Sequence, residues 1–103
     1  MSRYGFQIGQ GMFMASNFAT LTVTGQAQAL SGYGPSILRA LITVEGSSAR
    51  YNYDGSTPTS SLGHMVNSGD VIQILGVDNL QQFQVVSLGT TTFMITYETG
   101  ARP

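Results

Sequence analysis

Apolar residues alternate with small polar ones along this chain in runs too short for helices, and a period of two confines such a chain to β structure. The clearest run is Thr20-Leu21-Thr22-Val23-Thr24, where Leu21 and Val23 point one way and three threonines the other, the pattern of a half-exposed strand ended by Gly25. The breaker Ser31-Gly32-Tyr33-Gly34-Pro35 precedes residues 37–45, in which Leu38, Ala40, Ile42 and Val44 share one face and Arg39, Thr43 and Glu45 the other. One helical turn over residues 36–40 is the rival there, and the β-branched residues that follow favour a strand. Gly46-Ser47-Ser48 then predicts a tight hairpin connection into Ala49-Arg50-Tyr51-Asn52-Tyr53.

Beyond that hairpin, Asp54-Gly55-Ser56-Thr57-Pro58-Thr59 reads as a loop in which Asp54 bonds amides two residues on and Gly55 takes positive φ. A short strand over residues 63–66 follows, then a turn at Asn67-Ser68-Gly69-Asp70 and a strand over 71–75. Gly76-Val77-Asp78-Asn79 reads as another turn. The last two strands span residues 82–87, with Phe83 and Val85 inward, and 91–98, with Phe93, Ile95 and Tyr97 inward. Seven or eight short strands at intervals of roughly 8 to 12 residues predict an all-β, antiparallel β-sandwich of jelly-roll-like type, with a barrel as its rival.

The first 17 residues differ from the rest. Tyr4-Gly5-Phe6-Gln7-Ile8 alternates like a strand, whereas Gly9-Gln10-Gly11-Met12-Phe13-Met14-Ala15 combines glycines with apolar side chains. Two readings stand: an ordinary edge strand or terminus, and an extended N-terminal arm that packs on a neighbouring subunit, its methionines filling irregular pockets. The predicted division is therefore an arm over residues 1–17 and a β-sandwich domain over 18–103.

Charge narrows the partners. Only 9% of residues are charged, against about 25% in a typical soluble domain, while 42% are hydrophobic. Ser, Thr, Gln, Asn and Gly must cover what charged groups normally cover, which fits a surface largely occupied by other protein chains. Lysine is absent and Arg3, Arg39, Arg50 and Arg102 are scattered, so the clustered cations needed for a phosphate backbone or an anionic membrane are missing. No apolar run approaches the roughly 20 residues of a membrane helix, and residues 1–30 lack a signal-peptide profile. The expectation is a soluble chain made in a cytosol, without nucleic acid or membrane partners. With no cysteine, disulfides and thiolate metal sites are excluded.

Catalysis is tested by elimination. His64 is the only histidine, no Gly-x-Ser-x-Gly elbow frames a serine nucleophile, and the plain role of His64 is a surface or interface residue bonded to backbone. The carboxylates Glu45, Asp54, Asp70, Asp78 and Glu98 sit at predicted strand ends, where turn and cap roles explain them. They do not form the dense Asp/Asn series of a calcium loop, and Gly9-x-Gly11 and Gly32-x-Gly34 lack the third glycine of a phosphate loop. The expectation is a protein that is not an enzyme and carries no cofactor and no metal. Tyr4, Tyr33, Tyr51, Tyr53 and Tyr97 leave open a stacking surface for sugar or bases, but the preferred reading is that Tyr51 and Tyr53 fill core or cross-strand positions with their hydroxyls at the rim.

Arg50-Tyr51-Asn52-Tyr53-Asp54-Gly55-Ser56-Thr57-Pro58-Thr59, followed by Gly63-His64 and then Ser68-Gly69-Asp70, resembles a pattern found in small virion proteins of tailed bacteriophages. The segments 23–30, 39–45 and 93–97 look like the same type, so the likeness spans roughly residues 20–98. Such proteins are similar to capsid decoration, or cement, proteins: β-sandwiches that sit between capsomers and stabilise the expanded head. The resemblance implies a structural protein of the virion on the capsid surface, with the major capsid protein as partner and a dimer or trimer as its own assembly state. An arm reaching over neighbouring capsid subunits fits that role, and the expected contact residues are Tyr4, Phe6, Ile8, Met12, Phe13 and Met14, with Arg50, Asp54 and His64 around the loop. The alternative is a tail, head–tail or fibre component with a host-receptor or glycan-binding role.

Overall fold

The computed structural model describes residues 13–100. These residues form β1 (Phe13–Val23), β2 (Gln28–Ala29), β3 (Ile37–Gly46), β4 (Ala49–Asn52), β5 (His64–Val66), β6 (Val71–Leu75), α1 (Val77–Gln82), β7 (Gln84–Ser87) and β8 (Thr91–Gly100). Two four-stranded antiparallel sheets result, one in the order β1-β8-β3-β6 and the other in the order β2-β7-β4-β5. We call them sheet I and sheet II. The chain is thus an all-β fold of two sheets around a shared core, as the alternation predicts.

The two orders are related. Where β3 pairs with β8, its continuation β4 pairs with β7; where β1 pairs with β8, β2 pairs with β7; where β6 pairs with β3, β5 pairs with β4. Sheet II is therefore the continuation of sheet I, four long strands that all bend at one level. Corners of this kind let strands leave one sheet and enter the next without ending.

The bend corrects the hairpin expected across residues 46–48. β3 and β4 do not pair; they are two halves of one bent strand, and each keeps its own neighbours. Gly46 makes the corner feasible, with φ +91° and a Cβ position that would lie 2.7 Å from the Thr90 carbonyl oxygen. Across the corner the Ser47 amide donates to Thr90 O at 2.9 Å and the Leu88 amide to Ser48 O at 2.9 Å. Beneath it lie the only two buried polar side chains among the described residues, Ser87 and Thr91. The Gly89 amide donates to Ser87 Oγ (2.9 Å), and Thr91 Oγ1 donates to Ser47 O (2.7 Å). A hydroxyl carries one proton, so the 2.7 Å contact between the two side chains runs from Ser87 to Thr91. The result is a one-way relay that pairs every buried polar atom in it.

Packing follows the predicted parity along β8, where Phe93, Ile95 and Tyr97 are all buried. It departs at the start of β3, where Ile37 is 3% exposed and Leu38 is 37% exposed, the reverse of the expectation. A bulge in the β3–β8 pairing between Ile37 and Arg39 adds one residue, and one residue flips the face. From Ala40 on, the expected face is the buried one. Tyr97 crosses the core to donate to Ser31 O at 2.7 Å, and Tyr33 packs on its ring with centroids 4.9 Å apart. Burial pushes the Tyr97 phenol up to about 12.

Two further expectations change. The turn at residues 76–79 is the entry to α1: Gly76, at φ +96°, accepts the Leu80 amide at 3.1 Å, and Asn79 Nδ2 holds Leu75 O at 2.9 Å. Leu80 and Phe83 are buried, so residues 76–83 and 30–36 cross the end of the molecule opposite the corner and close the core there. The expected strand over residues 82–87 is thereby shortened to β7. The boundary at residue 17 also moves, because residues 13–17 belong to β1 and pair with β8. Residues 1–12, with Tyr4, Phe6, Ile8 and Met12 of the expected arm, lie outside the described residues.

Gly46→Ala should cost more stability than Gly69→Ala in urea unfolding, although both glycines sit at φ +91°. Gly69 has open space around it and should lose about 1–2 kcal/mol for backbone strain alone, whereas Gly46 adds the clash with Thr90; equal losses would contradict the corner. Thr91→Val should cost about 1–3 kcal/mol, because it strands the Ser47 carbonyl in the interior. In alkali the folded state holds the Tyr97 proton to higher pH than the unfolded chain does, so stability should fall as pH rises from 10 toward 12. Tyr97→Phe should flatten that decline.

Candidate functional site

The loop between β4 and β5, residues 53–63, folds back over the outer side of sheet II. Arg50 and Gln84 point outward there, since Tyr51 and Val85 between them point into the core. The Arg50 guanidinium donates to Ser60 O (3.1 Å) and Gly63 O (3.0 Å), while Gln84 Nε2 donates to Gly55 O (3.2 Å) and Thr57 Oγ1 donates to Gln84 Oε1 (3.2 Å). Pro58 is buried beneath the loop, and so is the outward-facing Val86. Gly63, at φ +130°, is tightly enclosed: a Cβ would meet Pro58 at 3.1 Å and Arg50 at 3.2 Å, so both would have to shift slightly to admit one.

Asp54 performs the turn role expected of it. Its Oδ1 accepts the Ser56 amide at 3.0 Å and the Ser56 hydroxyl at 2.5 Å, and these bonds hold its carboxyl below the usual carboxylate range. At the next turn the Asn67 amide donates to Asp70 Oδ2 at 2.8 Å and Gly69 takes φ +91°. The pattern residues Arg50, Asp54, Gly55, Pro58, Gly63, Gly69 and Asp70 are thus all engaged in shaping loops, and Arg50 and Asp54 are structural before they are contacts.

His64 has a different setting. It begins β5 opposite Tyr51, and its ring centroid lies 5.5 Å from Tyr51 and 6.1 Å from Tyr53. Tyr51 stacks in turn on Phe83 at 5.3 Å, and Phe83 meets Phe93 at 6.3 Å. A row of five rings therefore runs from the buried Phe93 to Tyr53, which is 49% exposed. Burial raises the Tyr51 phenol above its ordinary value. Beside this row a cleft of about 280 Å³ opens between the sheets, lined by Tyr51, Tyr53, Phe83, Asn79 and the β6 segment from Ile72 to Leu75. No lining residue is charged. The tyrosines were visible in sequence as a stacking surface; α1 and β6, which complete the cleft, reach it only through the tertiary fold.

The second surface is the outer face of sheet I. The register sets Phe18, Thr96, Leu41 and Gln73 in one row across four strands, and Thr20, Met94, Thr43 and Val71 in the next. Phe18 is 63% exposed, and Val71 and Leu75 at the β6 edge are exposed too. In the adjoining row Arg39, beside Leu75, is bonded to Glu98 and lies over the Phe13 ring, its Cζ 3.9 Å from the centroid, and at the other end of the face Glu45 is exposed beside Thr92. Phe13 is half-buried by that contact, while Met14 is 54% exposed. The expected contact residues therefore separate: Phe13 and Met14 lie on the β1 edge of sheet I, and Arg50, Asp54 and His64 on the opposite side of the molecule.

No known protein family, curated protein or solved structure matches this chain.

Arg50→Met keeps the length of the stem and removes both loop hydrogen bonds. It should lower stability by about 1–3 kcal/mol and speed amide exchange across residues 59–63; unchanged exchange would show that the guanidinium does not hold the loop. The Ser56 amide should titrate with a midpoint below 3.8, following Asp54 as acid removes its acceptor charge. A midpoint at or above that value would contradict the turn.

Proposed function

We propose that this chain is a structural protein of a bacteriophage virion, a capsid decoration (cement) protein that binds between major capsid protein subunits and stabilises the head. The observation that carries the reading is the outer face of sheet I: four strands wide, built mainly of threonine and apolar side chains, with Arg39 neutralised by Glu98 and Glu45, near the corner, as its remaining charge. Monomers rarely leave such a face to water, and apolar area with uncharged hydrogen-bonding groups is what a protein interface core contains. The outer side of sheet II is partly covered by its own loop, although Met65 and Leu62 stay exposed there, so sheet I is the broader face left for a partner.

Two further points support the reading. The orders β1-β8-β3-β6 and β2-β7-β4-β5 fit the jelly-roll form, in which two Greek keys fold together, a form that recurs in viral capsid proteins; this is an argument by analogy of fold. The resemblance of residues 20–98 to small virion proteins points the same way. Each contact of standard size would bury about 1,600 Å², and many copies on one particle would act together. Association of two or three copies through the β1 edge, where Met14 and Phe18 are exposed, completes the proposed arrangement on the capsid surface.

Heads carrying the protein should survive heating that disrupts heads lacking it; equal survival refutes the decoration role. Phe18→Glu combined with Leu41→Glu should abolish capsid binding while the far-ultraviolet spectrum keeps its β form. A chain lacking residues 1–12 retains every described strand. If it no longer binds, the grip lies in the N-terminal arm; if it binds as before, the grip lies on sheet I.

A further inference from the structure

We propose that the cleft beside Tyr51 and Tyr53 is a binding site for a neutral saccharide. The inference does not rest on the role on the capsid: the cleft is built chiefly on the core side of β6, and it shares only Gln73 and Leu75, at the β6 edge, with the face assigned to docking. Its walls are of two kinds. Phe83, Ile72, Ile74 and the Tyr51 ring supply an apolar interior, and Tyr53 brings a ring that is half open to solvent. The polar groups of the lining are uncharged: the phenols of Tyr51 and Tyr53, the Asn79 and Gln73 amides, and the backbone edge of β6, which is the last strand of its sheet, with the Asp70 carboxylate the charge that acts on Tyr51.

That combination selects its ligand. Ligand clefts join an apolar lining to a few convergent polar groups. A sugar ring presents C–H faces that lie on aromatic rings and a belt of hydroxyls that both donate and accept, matching the flat rings and neutral groups here. A phosphorylated or acidic ligand would need a cation, and the lining has none. The volume of about 280 Å³ lies just below the roughly 300–1,000 Å³ of pockets for larger molecules, so the cleft takes a single ring, with further units of an oligosaccharide outside it.

The parts are also held in place. Phe83 stacks under Tyr51, His64 braces Tyr51 and Tyr53 from the side, and one N–H of Asn79 is fixed on Leu75 O. The Asn79 amide retains an acceptor oxygen and a second N–H for the ligand. Such a site needs little reorganisation when it fills.

The full chain should be titrated with the methyl glycosides of glucose, galactose, mannose and N-acetylglucosamine under amide-resolved NMR, alongside an array of neutral and sialylated glycans. At least one neutral glycoside should shift the amides of Tyr51, Tyr53, Leu75 and Asn79. Tyr53→Ala, at a half-exposed position that leaves the core intact, should weaken binding by about tenfold or more, and Asn79→Asp should weaken it while the folded spectrum persists. Three results overturn the proposal: no neutral glycan binds, sialylated glycans bind in preference, or Tyr53→Ala binds as well as the parent. Thermal survival of capsids does not enter any of these readouts, so this proposal and the decoration role fail separately.

Discussion

Bending four strands at one level breaks the hydrogen-bond ladder that holds a sheet together, and the molecule rests on how that break is repaired. At the central corner the Ser47 carbonyl is left without a strand partner inside the core, and the relay from Gly89 through Ser87 and Thr91 satisfies it. An unpaired buried carbonyl costs about 1–3 kcal/mol, a large share of the margin of a small domain. Because β3–β4 and β7–β8 are the two central bent strands, every other strand pairs with one of them. The relay therefore supports both sheets at once. The flanking corners use backbone alone: Thr24 O accepts the Ser87 amide, and Val44 exchanges bonds with Gly69 and Asp70.

The sequence made strand content and most inward faces legible because both follow from a period of two, a local property. It made the Asp54 turn legible for the same reason, since Asx chemistry acts over two residues. What it concealed depends on partners far along the chain. Gly46-Ser47-Ser48 looks like a hairpin turn, and only the presence of Thr90 and Thr91 beside it makes it a corner. The bulge that sends Ile37 inward in place of Leu38 is a mismatch between β3 and β8, which neither strand shows alone. α1 hid within a Gly-Val-Asp-Asn segment whose composition suits a turn; burial of Leu80 and Phe83 draws it into helix.

The candidate sites divide in the same way. Arg50, Asp54 and His64 stood out because polar residues in an apolar, low-charge chain attract notice, yet two of them turn out to build the loop that carries them. Arg50 spans from sheet II to Ser60 and Gly63, and Asp54 closes on Ser56. A pattern made of such residues marks a way of folding residues 50–70. It assigns none of those side chains a ligand.

The same loop decides how the surfaces are shared out. By covering part of sheet II it leaves the outer face of sheet I as the broad surface of few charges, and by lifting residue 53 past the end of β4 it places Tyr53 at the mouth of the cleft. The two surfaces meet at β6, where Gln73 and Leu75 border both. Val71, Gln73 and Leu75 alternate toward the outer face, whereas Ile72 and Ile74 turn inward, toward the rings of Phe83 and Tyr51. A neighbour seated on the outer face therefore contacts one side of β6 and leaves the tyrosines on the other side open. A chain with so few charges can in this way be anchored by one face and still offer a polar, uncharged cleft beside it.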